Sequence, residues 1–214
     1  MSSRDEILQR VRAGIGLGDA AGRRAAAEAW MAGRRCGPQP FLGGDLLGRF
    51  VARAESLSSS VERIAGRRSL PASVAGFLAA GQLGSAAVIA PELADLDWAA
   101  SGLSVAARPA VDRDTVGITG CFCAIAETGT LLLLSGAQTP ASVSLLPETH
   151  IALVDERRIV GTMEDAFALL RAEHGSLPRA LNFVSGPSRT GDIEQTIVLG
   201  AHGPRRVHLI LAAA

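Results

Sequence analysis

The sequence contains no lysine and no tyrosine, and it has only three cysteines among its 214 residues. The absence of lysine excludes a Schiff base to a cofactor and the phosphate-binding lysine of a Walker loop, and the absence of tyrosine excludes a tyrosine acid. The cysteines, Cys36, Cys121 and Cys123, form an odd and sparse set, so we expect no disulfide scaffold. Reduced thiols are typical of the cytosol, and we expect the protein to be cytoplasmic.

Other common signals are also missing. No apolar run approaches the roughly 20 residues that a membrane helix needs, and the first residues, MSSRDEILQRV, carry charges where a secretory signal needs an apolar segment. We therefore expect no membrane span. The sequence lacks a glycine-rich dinucleotide fingerprint before an early helix, a P-loop, an HExxH motif and clustered cysteine ligands. No metal site and no redox cofactor are expected in this chain.

Charge is balanced overall but unevenly distributed. Residues 1–68 contain 12 arginines and 7 acidic residues, a difference of +5, whereas residues 69–214 contain 9 arginines and 14 acidic residues, a difference of −5. A basic segment can dock to an acidic partner or to nucleic acid, and it can also form a solvated helix face on its own acidic domain. Because the arginines are scattered, we favour the solvated face and expect no nucleic-acid partner.

The first part of the chain has a helical pattern. Apolar spacing predicts a helix over about 4–13, an alanine-rich composition predicts a second over 20–31, and the glycines and prolines that follow predict a linker. We therefore expect residues 1–45 to be an N-terminal helical extension and linker, and residues 46–214 to be the main domain. At the start of that domain, an apolar stripe over 47–64 predicts one longer helix.

The main domain has the pattern of an α/β protein. Short strand patterns at 86–90, around Val105 and at 150–154 alternate with helical patterns, of which 163–174 is the best marked. This alternation predicts a largely parallel sheet flanked by helices.

Two apolar runs, 121–126 and 130–134, are separated by Glu127, Thr128 and Gly129. The pattern predicts an antiparallel hairpin with Gly129 at a position that needs a positive φ. Glu127 would then lie at the tip, where it could act as a general base or as a nucleophile. Its alternative role is structural, as an acceptor of backbone N–H bonds.

Cys121 and Cys123 flank Phe122 in the first of these runs. A CxC pair supplies two thiolates, whereas a structural metal site uses about four ligands. On a strand both side chains would face the same side. We interpret them as small buried hydrophobic residues.

Residues 181–211 read LNFVSGPSRTGDIEQTIVLGAHGPRRVHLIL, a pattern of strand, polar turn, short helix, turn and strand. In open α/β sheets, ligands bind where the carboxyl end of a strand meets the amino end of a helix, because unpaired backbone N–H groups point there. Ser188, Arg189 and Thr190 are predicted just before the helix. Their hydroxyls, N–H groups and guanidinium could bind a carboxylate or a phosphate.

Asp192 and Glu194 open the predicted helix, and with Thr128 and Gly129 of the hairpin they complete the candidate ligand site. Asp192 can instead cap the helix with Gln195 in a capping box, while Arg189 pairs with one of the two acids to close the turn. His202 lies in the segment GAHGP, whose glycines allow the backbone to approach a ligand, and an imidazole side chain is suited to proton transfer. It can equally be a turn histidine bonded to a carbonyl group. These alternatives stay open.

Three blocks of the sequence resemble the LUD domain of the lactate utilisation protein C family. The blocks are GITGCFCAIAETGTLLL, SLLPETHIALV and SGPSRTGDIEQTIVLGAHGPRRVHLIL, in the family's order and spacing, within about residues 85–214. The resemblance implies the NagB/RpiA/CoA transferase-like fold of the sugar-phosphate isomerases, CoA transferases and formyltetrahydrofolate cyclo-ligases, a parallel α/β sheet with an inserted antiparallel hairpin. Cys121 and Cys123 depart from the small or acidic residues that usually follow the first four letters of this pattern.

The resemblance also implies a role in oxidising L-lactate to pyruvate, together with partner subunits that carry iron–sulfur clusters. It favours a small carboxylate or phosphate-containing ligand, with Glu127 and His202 as the candidate catalytic residues. Two other functions stay open. One is a stand-alone enzyme of the CoA transferase or sugar-phosphate isomerase type, with Glu127 as its reactive carboxylate. The other is a non-catalytic regulatory or scaffold module that docks through the basic N-terminal third.

Overall fold

The computed structural model describes residues 2–15, 19–33, 37–39, 43–190 and 198–213. The chain divides into two compact units, Met1–Pro40 and Phe41–Ala214. The first unit contains the two helices that the sequence predicts, α1 (Ser3–Ile15) and α2 (Ala20–Gly33). Their large apolar side chains, among them Ile7, Val11 and Trp30, are exposed. No helix in the described ranges is long and apolar enough to cross a membrane.

A six-stranded sheet is the centre of the second unit. In spatial order its strands are β1 (Ser60–Ile64), β12 (Arg206–Ala212), β7 (Thr149–Asp155), β4 (Val116–Thr119), β2 (Ala86–Ile89) and β3 (Ser104–Ala107). Each strand is parallel to its neighbours, so all six carboxyl ends lie at one edge and all six amino ends at the other. The predicted parallel α/β sheet is confirmed.

The order of the strands reverses between β2 and β4. After β2 the chain continues to β3 on one side, whereas after β4 the next strand of this sheet is β7 on the other side. The connections therefore diverge, and a crevice is left between the carboxyl ends of β2 and β4. In open α/β sheets this switch point is the usual place for a ligand.

A smaller sheet contains the predicted hairpin. Its strands, in spatial order, are β8 (Ile159–Val160), β5 (Cys123–Ile125), β6 (Thr130–Leu134) and β9 (Leu181–Val184). The hairpin is confirmed, because β5 and β6 are antiparallel neighbours and Gly129 in the turn has a φ of 67°. Since few residues other than glycine adopt that φ readily, the turn depends on it.

The two sheets pack face to face between helices. The helices of this unit are α3 (Leu46–Ser56), α4 (Leu70–Ala80), α5 (Ser142–Leu145) and α6 (Met163–His174). Along β7, Ile151 and Leu153 pack with the core that includes α4, whereas Ala152 and Val154 pack with α3 and the smaller sheet. The outer face of the smaller sheet packs on Ala166 of α6. Alternation along β7 thus fills a core on each side of the parallel sheet.

Helix α6 has the bounds that the sequence predicts. The Thr162 hydroxyl accepts the Asp165 N–H at 3.2 Å, and the Asp165 carboxylate accepts the Thr162 N–H at 2.9 Å, which is a capping box. Gly175, with a φ of 65°, follows the last residue of the helix. The start and stop signals in the sequence therefore fix this helix.

The prediction of one helix over 47–64 is wrong. Helix α3 ends at Ser56, Ser58 adopts a φ of 69°, and β1 follows. Val61 and Ile64, which fit a helical stripe, lie in a strand and pack in different cores on opposite faces of the parallel sheet. Pairing with β12, which is distant in the sequence, makes this segment a strand.

Candidate functional site

The hairpin tip packs on the last turns of α3. The Glu127 N–H donates to the Gly161 carbonyl oxygen at 3.0 Å, and Arg53 Nε donates to the Glu127 carbonyl oxygen at 3.3 Å. A Cβ atom on Gly129 would lie 2.6 Å from the backbone nitrogen of Ala54, so the contact requires glycine. Because α3 leads into the amino end of β1, the tip lies at the amino edge of the parallel sheet.

Thr128 belongs to a short chain of hydroxyl groups. Its Oγ1 donates to Thr130 Oγ1 at 2.7 Å, and Thr130 Oγ1 lies 2.7 Å from Ser185 Oγ. Since Ser185 follows β9, these bonds join the hairpin to the segment that carries Ser188 and Arg189.

Arg189 contacts the end of α3 from the other side. Its Nη2 donates to the Leu57 carbonyl oxygen at 2.9 Å and to Ser58 Oγ at 2.7 Å. A cation at this position complements the helix dipole. Within the described ranges, Nε and Nη1 of Arg189 have no hydrogen-bond partner. The guanidinium therefore caps the end of α3 through one of its three nitrogens.

Arg189 and Thr190 lie in a short antiparallel ribbon. Strand β10 (Arg189–Thr190) is antiparallel to β11 (Val198–Leu199). The predicted helix before Gly200 is thus wrong at its end, because the backbone of β11 pairs with that of β10. Asp192 and Glu194 lie outside the described residues.

Ser188 and His202 lie close to the same edge. The Ser188 N–H donates to the Pro204 carbonyl oxygen at 2.8 Å, and its own carbonyl oxygen accepts the Gly200 N–H at 2.9 Å. His202 is exposed in the loop that leads into the amino end of β12. The structure therefore brings the hairpin tip, Ser188, the ribbon and His202 to the amino edge of the sheet. Their binding and catalytic roles stay predictions.

A cavity of about 400 Å³ opens at the opposite, carboxyl edge. It is lined by the residues that follow β2 and β4, by the end of β6 and by the segment before α5. A second cavity, of about 270 Å³, shares Glu92, Gly120 and Cys121 with the first. Both cavities adjoin the crevice between β2 and β4, where α/β sheets bind ligands.

Glu92 spans this crevice. Its Oε1 accepts a hydrogen bond of 2.9 Å from the N–H of Gly120, the first residue after β4. The Glu92 carbonyl oxygen accepts a hydrogen bond of 2.8 Å from Arg67 Nη2, and Arg67 also forms an ion pair with Asp95. Although Glu92 is exposed at the mouth, desolvation raises the pKa of its carboxyl group, and the Gly120 bond and the Arg67 charge oppose that rise. A carboxyl group at the switch point can accept a proton or a hydrogen bond from a ligand.

The inner part of the larger cavity is bounded by polar side chains that face the space between the sheets. Thr119 Oγ1 lies 2.8 Å from Nε2 of His150, which is fully buried. Burial lowers the pKa of His150 to about 4, so its ring is neutral at pH 7. In the part of the chain that the structure describes, His150 Nδ1 and the buried Nδ2 of Asn182 have no hydrogen-bond partner.

One wall of the cavity contains an arginine whose charge is balanced by a glutamate. Arg158 pairs with Glu173 at 2.8 and 3.1 Å, and its Nε donates to the Phe122 carbonyl oxygen. The guanidinium carbon also lies 4.6 Å from the centre of the Phe122 ring, in a cation–π contact. His174 touches the same ring edge-on at 5.5 Å. This wall is therefore aromatic and nearly neutral.

The prediction that Cys121 and Cys123 face the same side is wrong. Cys121 precedes β5 and packs with the core between the sheets, whereas Cys123 packs on the outer face of the smaller sheet. Both are free thiols. Burial raises the pKa of both, that of Cys123 to about 11. Among the described residues, no group of three or more His, Cys, Asp or Glu side chains could hold a metal ion.

The sequence interpretation missed the residues of the carboxyl edge. Glu92 follows the predicted strand 86–90, so the rule that ligands bind at carboxyl ends of strands could have found it. Thr119 and Asn182 gave no such signal. Their positions depend on how the smaller sheet covers the larger one.

The sequence is similar to known proteins over most of the second unit. Residues 49–212 match the family model of the LUD domain. The chain is 36% identical over 102 residues to Lactate utilization protein C of Anoxybacillus flavithermus, covering 48% of this chain and 46% of that protein. It is 39% identical over 105 residues to Lactate utilization protein C of Bacillus subtilis, covering 48% and 44%. The match thus spans about half the length of these curated relatives.

The fold is also similar to a solved structure. A DUF162 family protein from Deinococcus radiodurans has a crystal structure that matches with a TM-score of 0.59 and 30% sequence identity. The match covers 78% of this chain and 96% of that protein. The agreement extends over nearly the whole of the solved protein.

Proposed function

Because this chain belongs to the LUD domain family, we propose that it is a subunit of an L-lactate utilisation system, in which L-lactate is oxidised to pyruvate. One observation carries the proposal: several bacterial proteins named Lactate utilization protein C are 36% to 41% identical to this chain over the aligned segments. The matched segment includes about half of each relative, so the activity of the whole assembly is part of the proposal.

In this assembly, partner subunits with iron–sulfur clusters would carry the electrons, and this chain would bind a small carboxylate or phosphate-containing ligand. The geometry of the amino edge supports ligand binding there. Arg189 has two nitrogens without a partner among the described residues, and Arg53 and His202 are exposed at the same edge. A planar guanidinium with free N–H groups matches the oxygens of a carboxylate or a phosphate.

Gene deletion tests the role in lactate utilisation. Loss of the gene is expected to prevent growth on L-lactate as the sole carbon source and to leave growth on glucose unchanged. A plasmid copy of the full-length gene should restore growth. Normal growth of the deletion strain on L-lactate would contradict the proposal.

Affinity purification tests the partners. The tagged full-length protein, purified from cells grown on L-lactate, is expected to retain proteins that contain iron and acid-labile sulfide. The matched control is the same purification from glucose-grown cells. A preparation without iron under both conditions would contradict the assignment of cluster-bearing partners.

Calorimetric titration with pyruvate and with inorganic phosphate tests the anion site. Arg189→Gln is expected to weaken binding by at least about tenfold, because hydrogen bonds to charged groups contribute about 1.5–3 kcal/mol. The matched control is Arg68→Gln, an exposed arginine that follows β1 at the opposite edge. Equal affinities of the two variants would contradict an anion site at Arg189.

A further inference from the structure

Asn182 lines the larger cavity, and its amide nitrogen has no hydrogen-bond partner among the described residues. Along β9, Leu181 packs with the outer face of the smaller sheet and Val184 packs with the core between the sheets. Because neighbouring residues of a strand face opposite sides, Asn182 points between the sheets with Val184. Its Nδ2 is buried there without a partner among the described residues. Such a group destabilises a protein unless something accepts its hydrogen bond.

Thr119 presents a second donor to the same cavity. The ring of His150 is neutral, so only one of its nitrogens carries a proton. If Nε2 donates to Thr119 Oγ1, the unpaired Nδ1 is an acceptor; the other tautomer would leave a buried N–H unpaired, which is the rarer arrangement in proteins. With His150 as donor, the Thr119 hydroxyl hydrogen is available to a ligand.

These two donors need an acceptor without a net charge. Thr119 and Asn182 line the cavity and are themselves uncharged. The cationic group of this wall, Arg158, is already paired with Glu173. A carboxylate or phosphate buried against neutral donors would lose its hydration without gaining a counter-ion, which is strongly unfavourable. The oxygen of an amide, lactam or ketone accepts the same hydrogen bonds at a smaller desolvation cost.

Much of the remaining wall is apolar. Phe122, Leu133, Leu134, Pro140 and Pro178 line the cavity, and its volume of about 400 Å³ falls in the range of roughly 300–1,000 Å³ typical of sites for organic ligands. Lactate and phosphate are far too small to fill it. We propose that this cavity binds an uncharged organic molecule of cofactor size through a carbonyl oxygen, which accepts hydrogen bonds from Asn182 and Thr119.

This site is distinct from the anion site of the proposed function. The cavity lies at the carboxyl edge of the sheet, and Arg189 lies at the amino edge. Variants at one edge are therefore expected to leave binding at the other unchanged, so each proposal can fail without the other.

Titration of the full-length protein with five probes tests the inference. Riboflavin, pantetheine and nicotinamide are uncharged molecules with amide or lactam carbonyl groups, and pyruvate and phosphate are the anionic comparison. At least one neutral probe is expected to bind, and Asn182→Leu should weaken that binding by at least about tenfold, equivalent to about 1.4 kcal/mol. The same substitution should leave the melting temperature unchanged or raise it, because it removes an unpaired buried donor. Arg189→Gln should leave the affinity for the neutral probe unchanged.

A cavity-filling pair provides the matched control. Ala141 lines the cavity, and Ala141→Phe is expected to abolish binding of the neutral probe. Ala100 is exposed outside it, and Ala100→Phe should have no effect. The proposal is overturned if none of the three neutral probes binds, or if binding survives both Asn182→Leu and Ala141→Phe. It is also overturned if pyruvate or phosphate binds more tightly than the neutral probes and in a manner that depends on Asn182.

Discussion

Arg189 Nη2 donates hydrogen bonds to the Leu57 carbonyl oxygen at 2.9 Å and to Ser58 Oγ at 2.7 Å. Leu57 follows the last residue of α3, and Ser58 has a φ of 69°, a backbone conformation that is unfavourable for serine. The guanidinium thus stabilises the turn at which the helix ends and the chain enters β1. A residue proposed to bind an anion therefore also has a structural role.

Arg189→Ala is expected to lower the free energy of unfolding by about 1 kcal/mol. Hydrogen bonds from a charged group contribute about 1.5–3 kcal/mol when they are buried, but this arginine is exposed and solvent weakens its interactions. Urea denaturation at pH 7 measures the change. Arg68→Gln alters an exposed arginine that makes no contact of this kind with the described residues, and it should leave the midpoint unchanged. Equal midpoints for Arg189→Ala and the unmodified protein would contradict the capping role.

Gly129→Ala is expected to lower the free energy of unfolding by roughly 2–5 kcal/mol. A φ of 67° costs a residue with a side chain about 1–2 kcal/mol. In addition, the new methyl group would lie 2.6 Å from Ala54 N and 2.7 Å from the Arg53 carbonyl carbon, so the helix or the hairpin must move, at about 1–3 kcal/mol. Chemical denaturation measures the total loss of free energy from the backbone strain and the close contact.

Gly84→Ala separates the two causes. Gly84 has a φ of 77°, and a Cβ atom there would have no atom within 4 Å among the contacts that the structure describes. Only the backbone strain applies, so Gly84→Ala should lower the free energy of unfolding by about 1–2 kcal/mol. If both variants lost the same free energy, the close contact between the hairpin and α3 would not contribute.

The elements that the sequence predicts correctly are those whose signals are local. Helix α6 has its capping box at Thr162 and its glycine at Gly175, and the hairpin has Gly129 at the required φ. The end of α3 has no such signal. Val61 and Ile64 fit a helical stripe as well as a strand with alternate residues on opposite faces, and only the pairing of β1 with β12 selects the strand.

The residues of the candidate site also fall into two groups, those with a local signal in the sequence and those without one. The polar residues at 127–129 and 188–190 stand out in the sequence, and the structure gathers them around the end of α3 at the amino edge. The cavity at the carboxyl edge is formed by residues from distant segments, such as Glu92, Thr119 and Asn182. No single segment contains two of them, so the arrangement becomes visible only when the smaller sheet is placed on the larger one.

Cys121 and Cys123 are expected to react slowly with iodoacetamide in the folded protein. Burial raises the pKa of Cys123 to about 11 from an ordinary value of 9.0, and it also raises that of Cys121. Because the thiolate is the reactive form, the lower thiolate fraction alone slows Cys123 by about 100-fold at pH 8. The experiment uses Cys36→Ser, so that only these two thiols remain, and it follows carbamidomethylation by mass spectrometry. Unfolding in guanidinium should restore ordinary rates; fast labelling of the folded variant would contradict the assignment.

His150 is expected to make the protein less stable as the pH falls from 6.5 to about 4. Burial lowers the pKa of the folded histidine to about 4, whereas the unfolded chain takes up the proton near 6.5. Between these values the unfolded state binds more protons than the folded state, so the stability present above pH 6.5 is lost as the pH decreases. The full loss for this group is roughly 3 kcal/mol.

Other ionisable groups, among them His208, also contribute to the pH dependence, so the control must isolate His150. Asn at this position keeps a polar side chain and does not titrate, and His150→Asn should therefore lose less free energy between pH 7 and pH 4.5 than the unmodified protein does. His208, whose pKa is also lowered by burial, is present in both proteins and cancels in the comparison. Urea denaturation at half-unit pH intervals gives the two curves. Parallel curves would show that the buried histidine takes up its proton without unfolding the protein, which contradicts a neutral His150 bonded to Thr119.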